Sequence, residues 1–148
     1  METKKVTMEQ LAPVIEETLK SGGTFEIAVK GTSMLPLLVE GRDTVVLGAV
    51  SEELERDDIP FYRRTDGAYV LHRVRKSEDG VYTMCGDNQW VEETGVLRSQ
   101  IIGKAVSIKR KGREFPVTSK RYRFYCALWR ALFPVRKYIV KLRGKLGK

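Results

Sequence analysis

Ser33 lies in the run Thr32-Ser33-Met34-Leu35-Pro36, and the single histidine of the chain, His72, follows 39 residues later in Tyr69-Val70-Leu71-His72-Arg73. A serine hydroxyl is a poor nucleophile until a base stands within hydrogen-bond reach. A neutral imidazole is the side chain best matched to take that proton near neutral pH. The two residues therefore have the types required for nucleophilic hydrolysis. A bland reading stands beside this one, in which Ser33 punctuates a turn and His72 is a packed or exposed strand residue. Met34 and Arg73 are the candidate substrate contacts: Arg73 has the reach to hold a carbonyl or to orient its strand, and Met34, with Pro36, also reads as a packing and turn-shaping residue. Cys85 and Cys126 have no CxxC spacing. With one histidine in the chain they point to a reduced interior with no metal and no cofactor, in which Cys85 is a small strand packer.

The elements that must position these groups are short. A chain of 148 residues, 42% hydrophobic and 31% charged, suits one globular domain with a real core. From Thr7 to Lys20, Met8, Leu11, Val14 or Ile15 and Leu19 recur at three or four, which predicts an amphipathic helix stopped by Ser21-Gly22-Gly23. Residues 24–31 alternate Phe25, Ile27 and Val29 against Glu26 and Lys30, the period of a half-buried strand. Residues 43–50, 68–75, 80–86 and 100–110 are further β-rich runs bounded by turn residues. The acidic segment 51–64 reads as a loop leading into a strand at Pro60–Arg63, and 76–80 as a hairpin turn. The expected fold is mainly β with an N-terminal helix and a C-terminal basic amphipathic helix. It divides into a domain over 1–118 (helix 7–20, β core 24–118) and a tail over 119–148.

Charge is unevenly placed. Residues 1–114 hold 17 Lys/Arg and 19 Asp/Glu, whereas residues 115–148 hold ten Lys/Arg and no acid, giving a net charge of +8. In the tail Leu128, Leu132, Val135, Ile139, Leu142 and Leu146 follow one helical face, and Arg123, Arg130, Lys137 and Lys141 another. The charge-free run Ala131–Val135 is far short of the roughly 20 residues of a membrane span, and Pro134 interrupts the helix. The helix is expected to lie on an anionic membrane, with Arg123, Arg130, Lys137 and Lys141 towards headgroups and Trp129, Tyr122, Tyr125 and Phe133 at their boundary. A helix packed on the domain with a solvated basic face is the alternative. Nucleic-acid binding rests on charge alone, and the apolar face suits lipid better, so no specific nucleic-acid partner is expected. The N-terminal stretch, with acids among its apolar residues, reads as neither a signal peptide nor a span.

Taken in chain order, Gly31–Pro36, Gly41–Val46, His72-Arg73-Val74, Gly86-Asp87-Asn88 and Ile101–Ala105 resemble the boxes of signal peptidase I and its relatives, the self-cleaving repressor-type proteases. The likeness covers about residues 25–108, and His-Arg is the form found in the endoplasmic-reticulum type. The resemblance implies a signal-peptidase-like β fold and a serine endopeptidase with Ser33 as nucleophile and His72 as general base. It offers Asp87 as the acid that orients the imidazole, with Glu92 and Glu93 as alternatives because histidine-type enzymes use an acid just beyond that box. A turn-forming role for Asp87 stays open. The Ser33 backbone N–H is the expected oxyanion donor; where the family places a helping serine this chain has Gly31, leaving Thr32 or another N–H to assist. Without the family's N-terminal span, the site is expected on the cytoplasmic side, peripheral on the inner face of the cell membrane. It would act there, as a monomer, on a precursor peptide or protein added as a strand to a sheet edge. The residues before Ser33 contain neither Ala-Gly nor Cys-Gly, so self-cleavage is not expected. The competing reading is a non-catalytic, membrane-associated peptide-binding module on the same fold.

Overall fold

The computed structural model describes residues 7–146; the ends of the domain expected over 1–118 and of the tail over 119–148 (residues 1–6 and 147–148) lie outside them. Helix α1 (Met8–Lys20) starts where its sequence predicts. The Thr7 hydroxyl accepts the Gln10 backbone N–H while the Gln10 side chain accepts that of Thr7, so two N-terminal donors are satisfied reciprocally. Its buried residues are Ala12, Ile15 and Leu19, the stripe of a helix laid on a sheet.

Nine strands follow among the described residues: β1 (Phe25–Ala28), β2 (Thr44–Gly48), β3 (Pro60–Arg63), β4 (Tyr69–Leu71), β5 (Arg73–Glu78), β6 (Val81–Cys85), β7 (Glu93–Leu97), β8 (Ile101–Arg110) and β9 (Arg113–Pro116). They form a curled antiparallel sheet of order β1-β2-β8-β3-β4, with β9 beside the C-terminal half of β8, and a three-stranded antiparallel sheet β5-β6-β7. After β9 come α2 (Lys120–Ala131), a 3-10 turn over Phe133–Val135 and α3 (Arg136–Leu146). Strands hold 33% of the residues and helices 29%, so the architecture is mixed rather than mainly β.

The run 68–75, read from sequence as one strand, is two. Leu71 pairs with Phe61 in the larger sheet and Arg73 with Cys85 in the smaller, so His72 sits at the crossing between sheets. Each sheet has its own core. Ile15, Leu19, Ile27, Leu38, Val45, Leu47, Phe61 and Ile108 fill the first, and Leu54, Tyr62, Val74, Tyr82, Met84 and Val96 the second.

Helix α2 belongs to the first core. Tyr122, Cys126 and Trp129, spaced by four and three, are buried against the domain. An aromatic side chain buries about 150–250 Å² when it packs, a gain that a helix lying free on solvent forgoes. The packed alternative therefore describes the inner face of this helix.

Candidate active site

Ser33 stands on the loop that joins β1 to β2. Gly31 turns the chain with φ of +76°, a left-handed conformation that strains other residues, and Leu35 N–H returns to Thr32 O at 3.2 Å. The Ser33 carbonyl accepts the Asn88 N–H at 2.8 Å, and a Cβ at Gly86 would overlap that same carbonyl. Glycine at position 86 thus lets the loop 86–89 close directly onto the backbone of the nucleophile candidate. Among the described residues the Ser33 N–H has no acceptor, which leaves it free to donate to a developing oxyanion.

His72 is 4% exposed. Its Nδ1 lies 3.4 Å from the Tyr62 hydroxyl oxygen and 4.0 Å from Glu93 Oε1. The Tyr62 hydroxyl donates to Glu93 Oε1 at 2.7 Å, and the Arg64 guanidinium donates to both Glu93 oxygens at 3.0–3.2 Å. Burial pushes the imidazole down to about 4, and the Arg64 charge adds to that push against the opposing pull of Glu93 and Asp87. His72 is therefore neutral at pH 7, the form a general base requires. Burial works against the Glu93 charge as well, but hydrogen bonds from Arg64 and Tyr62 outweigh it and hold the carboxyl below its usual range.

Ser33 and His72 line one cleft of about 560 Å³. One wall is β1 with Val29 and Lys30, the opposite wall is β4, and Met8 and Leu11 of α1 also line it. Among the described residues β1 pairs only with β2 and β4 only with β3, so both walls are strand edges without a further partner there. With Nδ1 turned to Tyr62 and Glu93, Nε2 is the ring atom without a partner among the described residues. No family model, curated protein or solved structure matches the chain.

Of the three carboxylates proposed from sequence, Glu93 is the one beside the imidazole. Asp87 is wholly buried and occupied elsewhere: Arg73 donates Nε and NH2 to its two oxygens at 2.7 and 2.9 Å, and Tyr125 donates its hydroxyl at 2.8 Å. Glu92 pairs with Arg75 on the surface. Arg73 does not reach a substrate, because it is 5% exposed and its NH1 is shared among Asp57 O, the Tyr122 hydroxyl and Cys126 Sγ. Burial disfavours its charge, yet Asp87 more than offsets this and holds the guanidinium above its ordinary value. Met34 lines the cleft floor but is 2% exposed, so packing is its main part. Thr32 is exposed next to Ser33 and its N–H is free of backbone acceptors.

Two of the membrane residues expected from sequence face inward. Trp129 is buried with its indole N–H on Asp87 O at 2.7 Å, and Arg130 is paired with Asp57. Tyr122 and Tyr125 are likewise engaged by Arg73 and Asp87. Arg123, Lys137 and Lys141 remain exposed. Tyr62, Arg64 and Gln89 are site residues that sequence reasoning missed. The only local signal was the strand prediction at Pro60–Arg63, since Glu93 lies 29 residues beyond Arg64. Among the described residues no group of three His, Cys, Asp or Glu side chains is placed to hold a metal ion.

Proposed function

We propose that the chain is a serine endopeptidase of the signal-peptidase-like type, with Ser33 as nucleophile, His72 as general base and Glu93 as the carboxylate behind the base. The observation that carries this reading is the shared cleft: hydroxyl and neutral imidazole open into one trough, with a carboxylate on the far side of the ring. In the reaction His72 Nε2 takes the Ser33 proton as Oγ attacks the peptide carbonyl, then returns it to the leaving amine. A water activated by the same imidazole releases the acyl group. Glu93, held by Arg64 and Tyr62, stabilises the imidazolium that forms in each step. Oxyanion stabilisation falls to the Ser33 N–H and its neighbours, because φ of +76° at Gly31 excludes an unstrained serine there.

The substrate is a precursor peptide or protein with an extended segment, inserted as a strand between the free edges of β1 and β4. The enzyme works as a peripheral protein on the inner face of the cell membrane; no helix among the described residues is long and apolar enough to cross a bilayer. The test is incubation of the full chain, with anionic vesicles, with a mixture of synthetic peptides of varied sequence read by mass spectrometry. Cleavage by the wild type that is lost in both Ser33→Ala and His72→Ala supports the assignment. Peptide binding without any cleavage points to the binding module instead.

A further inference from the structure

With Tyr122, Cys126 and Trp129 packed inward, the opposite side of the C-terminal helices is left uncovered. Phe124, Leu128, Val135, Tyr138 and Leu142 are 46–70% exposed, and they account for five of the nine large apolar side chains exposed among the described residues. Phe124 and Leu128 in α2, and Tyr138 and Leu142 in α3, are each four residues apart and so share one face of their own helix, with Val135 on the 3-10 turn between them. The other four exposed apolar residues, Val14, Val81, Val91 and Leu97, are scattered over the domain.

The stripe has basic margins. Arg121, Arg123, Lys137 and Lys141 are exposed and form no ion pair among the described residues. The cations that do find partners are the inward ones: Arg130 on Asp57, Arg136 on Gln89 O and Trp129 O, and Arg143 on Asn88. The helices thus have three sectors, an aromatic inner face on the domain, an apolar outer stripe and cations between them.

We propose that this outer stripe is the surface by which the protein binds an anionic lipid bilayer, lying parallel to it with Phe124, Leu128 and Leu142 in the acyl boundary and the cations on lipid headgroups. The proposal deepens the membrane part of the proposed function and is independent of the peptidase chemistry. Charge complementarity selects the occupant. Residues 115–148 hold no acid, and Arg121, Arg123, Lys137 and Lys141 beside the stripe are unpaired among the described residues, so a second copy of the same face meets like charges without a local counter-charge. A polyanionic nucleic acid would satisfy the cations but leave the phenyl and leucyl groups between them unburied.

The experiment is co-sedimentation of the full chain, as wild type and as Ser33→Ala so that binding is read apart from hydrolysis. The vesicles are phosphatidylcholine alone, or three parts phosphatidylcholine to one part phosphatidylglycerol. Both proteins should pellet with the anionic vesicles in about 0.1 M salt, weakly in about 1 M salt, and not with phosphatidylcholine alone. The triple variant Phe124→Ser, Leu128→Ser, Leu142→Ser touches only exposed positions. It should keep the wild-type unfolding midpoint and bind roughly tenfold or more weakly. Leu128→Trp should add an indole emission that shifts to the blue with anionic vesicles and is quenched by brominated acyl chains. Binding by the triple variant equal to wild type would overturn the proposal. So would absence from the anionic pellet, tighter binding to duplex DNA at equal salt, or a dimer in solution that the triple variant dissolves.

Discussion

Replacing His72 by glutamine should flatten the acid side of the stability profile. In the unfolded chain this imidazole titrates near 6.5, and in the folded protein burial and Arg64 push it down to about 4. As pH falls through 6.5 the unfolded state takes up a proton that the native state refuses, so stability is lost between those two values and is unaffected above them. Integrating the difference from pH 7.5 to pH 4.5 gives a loss on the order of 2–3 kcal/mol attributable to this one group. Glutamine does not titrate and still offers the Tyr62 hydroxyl a polar partner, so the variant retains only the losses that other groups contribute. Urea unfolding followed by circular dichroism at intervals across that range yields both curves. The wild type should lose roughly 2–3 kcal/mol more than His72→Gln, whatever their offset at pH 7.5. Parallel curves would mean that the imidazole is not desolvated in the folded protein, and the case for a neutral base held ready in the cleft would fail.

Glu93→Gln removes the carboxylate facing Nδ1 but keeps an acceptor for Tyr62, so cleavage of any peptide the wild type cuts should slow by about 10² or more in kcat, and an unchanged kcat would remove Glu93 from the mechanism. Asp87→Asn leaves the Arg73 guanidinium buried without its counter-charge; urea midpoints should report a loss of about 3 kcal/mol, and a change within ~0.5 kcal/mol would show that the pair is dispensable. Gly86→Ala drives a methyl group into the Ser33 carbonyl, which should cost about 1–3 kcal/mol and displace Ser33, seen as a joint fall in thermal midpoint and in the rate of any cleavage the wild type performs. Wild-type values for both would mean that the two loops are not in contact.

Local patterning made α1 readable, because a reciprocal Thr7–Gln10 cap and a stripe of Ile15 and Leu19 are short-range features. The alternation of Phe25 and Ile27 against Glu26 marked β1 for the same reason. His72 was found by type, but not its place: the residues on both sides of it are β-formers, and the switch from Phe61 to Cys85 as cross-strand neighbour is a tertiary event. The acid was undecidable for a similar reason. Asp87, Glu92 and Glu93 lie within one short stretch, and what separates them is which cation reaches each, namely Arg73, Arg75 or Arg64. In the tail, periodicity marked an apolar face through Leu128, Val135 and Leu142, and those side chains are exposed. The second stripe, Tyr122, Cys126 and Trp129, draws its inward pull from Asp87 and Arg73, more than thirty residues upstream and silent in any local window.

Asp87 receives Arg73, the residue after His72, and Tyr125 and Trp129 from α2, and its neighbour Asn88 grips the Ser33 carbonyl. The support of the Ser33 loop is thus completed by a segment synthesised after the loops it braces. A ribosome that has made everything through Thr118 has produced the hydroxyl, the imidazole and the carboxylate without the brace that holds their loops together. Maturation of the cleft is in this sense timed by translation itself, and a nascent chain that stops short of α2 carries Ser33, His72 and Glu93 on unbraced loops.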